Sequence, residues 1–215
     1  MDTSLHIKQL RTQYSLFQLN ESEVDQDPFV QLEKWIKQAL QAEANWPNAM
    51  VLTTVSNEGR PSSRVVLLKD FGQDGLIFFT NYSSRKGKEL DSNPYVCLTF
   101  FWPELERQVR IEGMAKRISE EESSNYFKTR PVESQIGAWA SNQSAQLHSR
   151  VELEDRMAHF TQLFSDKEVP KPHHWGGYQV FPSYFEFWQG RANRLHDRIA
   201  FSKQPENWLI TRLSP

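Results

Sequence analysis

The chain has 215 residues, 38% of them hydrophobic and 24% charged, which fits one globular domain and excludes a disordered chain. Its 25 basic and 27 acidic side chains leave a formal charge of −2, which argues against a protein that coats nucleic acid. A single cysteine, Cys97, excludes an internal disulfide or a cysteine-cluster metal site, and no apolar run nears the roughly 20 residues of a membrane span.

Residues 1–26 are polar, with Leu5, Leu10, Tyr14 and Phe17 as scattered anchors, and read as a partly mobile arm with some helix. The opening stretch MDTSLHIKQLRTQY has no apolar core of a secretory signal, so a soluble, cytoplasmic protein is expected. Asp27-Pro28 supplies an N-cap and a first-turn proline. Phe29, Leu32, Trp35, Ile36, Ala39 and Leu40 then recur at helical spacing, predicting a helix that ends near Glu43. Strand-type runs follow at 49–55, 64–69, 76–80, 95–102 and 108–118. Short turns such as Ser56-Asn57-Glu58-Gly59 join them with no long helix between each, so antiparallel pairing is expected. Ser119-Glu120-Glu121-Glu122 is a capping box opening a helix that ends before Pro131. A further helix carries Leu153, Met157, Phe160 and Phe164 on one face. Strand-like runs at 178–181, 185–189, 194–201 and 208–213 complete the chain. The expected fold is mainly β with peripheral helices, an antiparallel barrel or sandwich, with 27–215 as a single domain.

Four segments carry candidate chemistry. If Arg194-Leu195-His196-Asp197-Arg198 is a strand, Arg194, His196 and Arg198 share a face and repel unless an anion lies opposite. Ser83-Ser84-Arg85-Lys86-Gly87 places hydroxyls, cations and a glycine where a strand turns into a helix, a pattern suited to phosphate. Arg64 and Lys69 bracket an apolar run, and Tyr126, Arg130 and Ser134 form a mixed donor set. Each pattern taken alone also fits a solvated charged face. His173-His174 lacks a second ligand pair at metal spacing, Cys97 reads as a small core residue, and adjacent His196 and Asp197 point to opposite strand faces, unlike a triad pair. No GxGxxG or Walker sequence is present.

Together these segments resemble the pyridoxine (pyridoxamine) 5′-phosphate oxidase family over about residues 28–215. The resemblance rests on eight ordered blocks: Pro47–Met50, Arg64–Lys69, Phe79–Lys86, Glu106–Arg110, Arg130-Pro131, Ser134–Trp139, Glu186–Gly190 and Arg194–Arg198. It implies an FMN-binding split β-barrel, antiparallel and of Greek-key type, forming a homodimer with the flavin at the subunit interface. Arg64, Arg85 and Lys86 would hold the FMN phosphate, with Gln143 and Ser144 completing its shell. The flavin ring would rest against Val65, Val66, Leu67, Leu68, Lys69, Phe79, Thr80 and Gln108, with Trp188 and Arg198 reaching in from the partner chain. Lys69, Tyr126, Arg130 and Ser134 would grip the substrate phosphate. Arg194 and His196 would sit over the pyridine ring as the catalytic pair, and the 1–26 arm would act as a lid, with Arg11 and Tyr14 as part of it. The implied reaction oxidises phosphorylated B6 vitamers with O2, without a metal, a membrane or nucleic acid. The sequence departs from the family's pattern at Thr12 and Trp46. Two other readings are a different split-barrel flavoprotein, such as a flavin reductase, and a non-catalytic module holding a nucleotide or RNA.

Overall fold

A computed structural model describes residues 13–215. In chain order the elements are α1 (Pro28–Gln41), β1 (Ala49–Val55), β2 (Pro61–Leu67), β3 (Asp70–Gly72), β4 (Gly75–Asn81), α2 (Arg85–Ser92), β5 (Tyr95–Trp102), β6 (Arg107–Arg117), α3 (Glu120–Thr129), α4 (Val132–Ala140), α5 (Arg150–Leu163), β7 (Trp175–Gln189), β8 (Asp197–Lys203) and β9 (Trp208–Arg212). The strands are ordered β2-β1-β5-β6-β7-β4-β3, with β8 on β7 and β9 on β8. The ladders β1–β2, β3–β4, β4–β7, β7–β8 and β8–β9 are antiparallel, as the short turns predicted. The residues fall into two compact units: one comprises residues up to Pro47, Thr99–Ile111 and Tyr184–Pro215, the other Asn48–Leu98 and Glu112–Ser183.

In the first unit, Asp27 caps α1 by accepting from the Phe29 N–H at 2.8 Å, and Pro28 occupies the first turn where no partner is lost. The predicted apolar stripe buries Leu32, Trp35 and Ala39. Trp35 meets Phe187 edge-on at 5.2 Å, Phe29 meets Phe185 at 5.2 Å, and Phe187 meets Phe201 at 5.5 Å. Each such pair adds about 0.5–1.5 kcal/mol beyond the area it buries. The chain before α1 is pinned from Tyr14 onward. The N–H groups of Ser15 and Leu16 donate to Glu106 Oε2, Leu19 N–H donates to Asp197 Oδ2, and Leu19 and Val24 are buried.

The second unit holds β1–β4, α2–α5 and the start of β7. The capping box is present in full: Ser119 Oγ accepts from Glu122 N–H while Glu122 accepts from Ser119 N–H. Phe127, Ile136, Phe164, Val169 and Trp175 form a buried cluster, with Met157 and Phe160 of α5 packed on it. Ser84 caps α2 by accepting from Gly87 N–H at 3.3 Å. A Cβ on Gly87 would lie 2.0 Å from the Tyr82 carbonyl oxygen, so only glycine lets the helix start this close to β4.

Several expectations are corrected. The run 194–201 is not one strand: Asn193 and Arg194 adopt left-handed φ of 56° and 62° in a short turn, and β8 begins only at Asp197. Strict alternation therefore does not apply to Arg194 and His196. The runs at 178–181 and 185–189 are one strand that passes through Pro182. Pairing with β4 ends at Val180 and pairing with β8 starts at Tyr184, so the missing N–H breaks no bond to either of these two strands. Strand β2 starts at Pro61 and stops at Leu67, and β3 and α4 went unpredicted. Cys97 is half-buried, because it alternates away from buried Val96 and Leu98. Among the described residues no helix is long and apolar enough to cross a membrane, and no group of three or more His, Cys, Asp or Glu could hold a metal ion.

Candidate functional site

The second unit contains a cavity of about 650 Å³ between strands β2 and β4 and helices α3 and α4. Its wall includes Val65, Val66, Leu67, Phe79, Thr80 and Gln143, together with Lys69, Lys86 and Arg130. Tyr126 and Ser134 also line it. The described lining residues include three cations and no carboxylate. Phe79 stacks on Tyr126 at 3.9 Å and on Trp175 at 5.2 Å, with interplanar angles of 15° and 10°. One side of the cavity is thus flat and aromatic, and the other supplies cations and hydroxyls.

The cations differ in how they are held. Arg130 follows the last turn of α3, which ends because the residue before Pro131 disfavours helical backbone. Its guanidinium lies 4.7 Å above the Trp175 ring, and its buried Nη1 has no hydrogen-bond partner among the described residues. Guanidinium nitrogens only donate, so this atom calls for an acceptor beyond the described residues. Burial pulls the Arg130 pKa below its ordinary value, with Tyr126 opposing. Lys86 is buried, and its Nζ donates to Gln143 Oε1 at 2.7 Å and to Thr80 Oγ1 at 3.0 Å, both neutral acceptors. Burial first, and the charge of Arg64 second, lower its pKa from 10.5 to about 8. Arg64 and Arg85 are by contrast paired with Glu89, at 3.3 and 2.8 Å.

The first unit presents a separate cluster. Trp188 and His196 lie 4.7 Å apart, and Tyr14 meets them edge-on at 5.7 and 5.5 Å. A Cβ on Gly190 would come within 2.8 Å of the Tyr14 side chain, so glycine makes room for that ring. The Arg191 N–H donates to His196 Nδ1 at 3.1 Å, which leaves the neutral ring its proton on Nε2. Burial and nearby Arg194 lower the His196 pKa, with Asp197 opposing, so the ring is neutral at pH 7. Arg194 is exposed and has no ion pair among the described residues. Arg198, opposite Trp188 in the β7–β8 ladder, is held by Glu186 at 2.9 Å. Glu186 is buried and also takes Arg110 at 2.7 Å. Burial alone would raise its pKa, but hydrogen bonds from Arg198 and Arg110 bring it below the ordinary carboxylate value.

The structure therefore brings Val65, Val66, Leu67, Lys69, Phe79, Thr80, Lys86, Tyr126, Arg130, Ser134 and Gln143 to one cavity. Leu68 is buried and lines no part of it. Arg85 and Ser144 instead line a second cavity of about 740 Å³, which Gln143 also reaches. Tyr14, Gln108, Trp188, Arg194, His196 and Arg198 belong to the other unit, and Arg11 lies outside the described residues. Sequence reasoning missed the carboxylates that organise the arginines, Glu89 and Glu186, and Glu106, which holds the Ser15 and Leu16 N–H groups. For Glu89 a signal existed, since it follows Arg85 by one helical turn.

The sequence matches the family profile described as pyridoxamine 5′-phosphate oxidase over residues 36–164. The chain belongs to the pyridoxamine 5′-phosphate oxidase family. Residues 175–215 of this family member match a second profile, described as the pyridoxine 5′-phosphate oxidase C-terminal dimerisation region. A pyridoxine/pyridoxamine 5′-phosphate oxidase of Nostoc punctiforme is 53% identical over 210 residues, 97% of this chain and 98% of the relative. One from Paraburkholderia xenovorans is 52% identical over 211 residues, 97% and 99% of the two chains. Among solved structures, PhzG from Burkholderia lata in complex with tetrahydrophenazine-1-carboxylic acid superposes with a TM-score of 0.88 at 29% identity, covering 95% of this chain and 100% of that one. An FMN-binding, oxidase-related protein of Nostoc punctiforme shares the fold at a TM-score of 0.65 and 15% identity, covering 87% and 95%. The fold of this oxidase-family enzyme is thus the mainly antiparallel split barrel with peripheral helices.

Proposed function

We propose that this chain oxidises pyridoxine 5′-phosphate and pyridoxamine 5′-phosphate to pyridoxal 5′-phosphate, with FMN as cofactor, O2 as acceptor and H2O2 as product. The supporting observation is a cavity whose described lining holds three cations and no carboxylate, and in which Arg130 Nη1 is buried with no acceptor among the described residues. A phosphomonoester carries about −1.5 to −2 charge near neutral pH. Each charge-assisted hydrogen bond to it contributes roughly 1.5–3 kcal/mol, so the lining donors suffice for tight binding.

In this reading Lys69, Tyr126, Arg130 and Ser134 hold the substrate phosphate. Lys86, Thr80 and Gln143 face the cofactor phosphate, with Arg64, Arg85 and Ser144 beside them. The donor set fits FMN: cations and hydroxyls for its phosphate, and the β2 backbone with the aromatic wall for a flat ring. When bound, FMN supplies the two-electron acceptor that O2 regenerates. The alcohol substrate and O2 give the aldehyde and H2O2, and the amine additionally takes up one water and releases ammonia. His196 donates from Nε2 to the substrate rather than removing a proton, because its Nδ1 is occupied and its pKa lowered. Arg194 orients the ring and stabilises developing charge. Tyr14 serves as part of the lid.

The match of residues 175–215 to a dimerisation region supports a homodimer. In this reading the flavin lies at its interface, and Trp188 and Arg198 reach the cofactor from the second copy. A cytoplasmic setting belongs to the same reading. The deciding experiment is simple. The purified protein should be yellow, and pyridoxine 5′-phosphate in air should yield pyridoxal 5′-phosphate and H2O2 in equal amounts. Protein that takes up no FMN, or that reduces flavin with a nicotinamide donor while leaving the vitamer untouched, overturns the proposal.

A further inference from the structure

We propose that Glu89 is a positioning residue that aims Arg85 as a phosphate donor and anchors the Arg64 charge beside it, an inference that rests on the FMN reading above. Glu89 lies on α2 and is buried. Its Oε1 accepts from Arg85 Nε at 2.8 Å. Its Oε2 accepts from Ser62 Oγ at 2.7 Å, from Arg64 Nη2 at 3.3 Å and from the Thr54 hydroxyl. One carboxylate thus joins β1, β2 and α2 at the point where both arginines leave the backbone.

The consequences differ for the two arginines. Arg64 is locked: Nη1 donates to the carbonyls of Leu52 and Ser62 at 3.3 and 3.0 Å and to the Thr54 hydroxyl, while Nη2 donates to Ser62 Oγ at 2.6 Å. Arg85 is held by Nε alone, so both of its Nη groups stay available at the cavity that Ser83, Gln143 and Ser144 also line. Arg64, Arg85, Lys86 and Glu89 together carry a charge of +2, matched to a phosphate dianion. Without the carboxylate three like charges would sit side by side, and Arg85, which among the described residues Glu89 alone holds, would turn toward water.

Removing the charge tests two opposed effects. Glu89→Gln adds one positive charge, which by Coulomb attraction alone tightens FMN binding. If orientation matters more, FMN binding weakens although the site becomes more cationic. Riboflavin, which lacks the phosphate, separates both from a general loss of structure. The measurement is flavin fluorescence quenching on apoprotein, giving dissociation constants for FMN and riboflavin. Wild type should prefer FMN; no preference means that the cofactor reading itself has failed. In Glu89→Gln the preference should narrow at least tenfold, with riboflavin affinity within twofold of wild type. A preference that is unchanged or enlarged, or an equal loss for both flavins, overturns the proposal. Should Glu89→Gln not fold, Ser62→Ala removes the hydroxyl between Glu89 and Arg64. A roughly threefold narrowing is then expected, and an unchanged ratio overturns it.

Discussion

Replacing Lys86 by methionine separates a residue kept for a ligand from one kept for the fold. Lys86 Nζ is buried against two neutral oxygens, and its pKa falls from 10.5 to about 8. At about 1.36 kcal/mol per unit, the protonated form is disfavoured in the ligand-free fold by roughly 3 kcal/mol. Methionine keeps most of the length, removes that penalty, and forfeits two short hydrogen bonds of about 0.5–1.5 kcal/mol each together with a long one to Ser84 Oγ at 3.5 Å. Gln143 Oε1 still accepts from Thr80 Oγ1 at 3.2 Å. Ligand-free Lys86→Met should therefore be as stable as wild type at pH 7, or up to about 2 kcal/mol more so. The pH dependence has a definite sign. The folded pKa lies below the unfolded one, so between pH 8 and 10.5 the unfolded state binds the extra proton, and wild-type stability rises with pH across that window. That increment should be missing from the variant. Binding should respond oppositely: losing one charge-assisted bond of about 1.5–3 kcal/mol weakens FMN roughly 10- to 150-fold and leaves riboflavin unaffected. Urea unfolding at several pH values and flavin titration measure both. A ligand-free variant weakened by several kcal/mol with unchanged FMN affinity would refute the reasoning and make Lys86 a structural residue.

The remaining predictions follow from the same geometry. Arg130→Gln removes a buried donor that has no acceptor among the described residues, so the KM for pyridoxine 5′-phosphate should rise about 10- to 150-fold while FMN affinity stays constant; an unchanged KM would place the substrate phosphate elsewhere. Arg194→Ala deletes an exposed side chain without an ion pair among the described residues, so unfolding and flavin retention should not change, while kcat falls on the order of 10²-fold in steady-state assays; equal loss of flavin and turnover contradicts that separation. Gly87→Ala forces a methyl to within 2.0 Å of the Tyr82 carbonyl, and thermal unfolding should show a loss of at least about 2 kcal/mol. A wild-type Tm for this variant would mean that the start of α2 shifts freely.

Where a single turn of chain carries the information, the sequence is decisive. Asp27-Pro28 and Ser119–Glu122 place α1 and α3 because the capping atoms lie within three residues of one another. Alternation closed by Pro103 bounds β5 at Tyr95–Trp102. The eight ordered blocks likewise identify the family without coordinates. The approach fails where a partner far along the chain overrides local preference. Pro182 sits inside β7 between the residues paired with β4, which end at Val180, and those paired with β8, which start at Tyr184. Arg194 looks like a strand residue, yet the turn at Ala192–Arg194 holds it in left-handed backbone before β8 begins.

Charge shows the same divide. In sequence Arg64, Arg85, Lys86 and Arg130 are four equivalent cations beside apolar runs. Folding gives the first two a shared carboxylate at Glu89, leaves Lys86 on neutral oxygens 6 and 57 residues away, and leaves Arg130 Nη1 with no acceptor among the described residues. Residue type and spacing thus determined which groups could meet an anion. Which of them still need one was decided by tertiary packing, because the strength of a charge depends on the solvent and partners that the fold leaves around it.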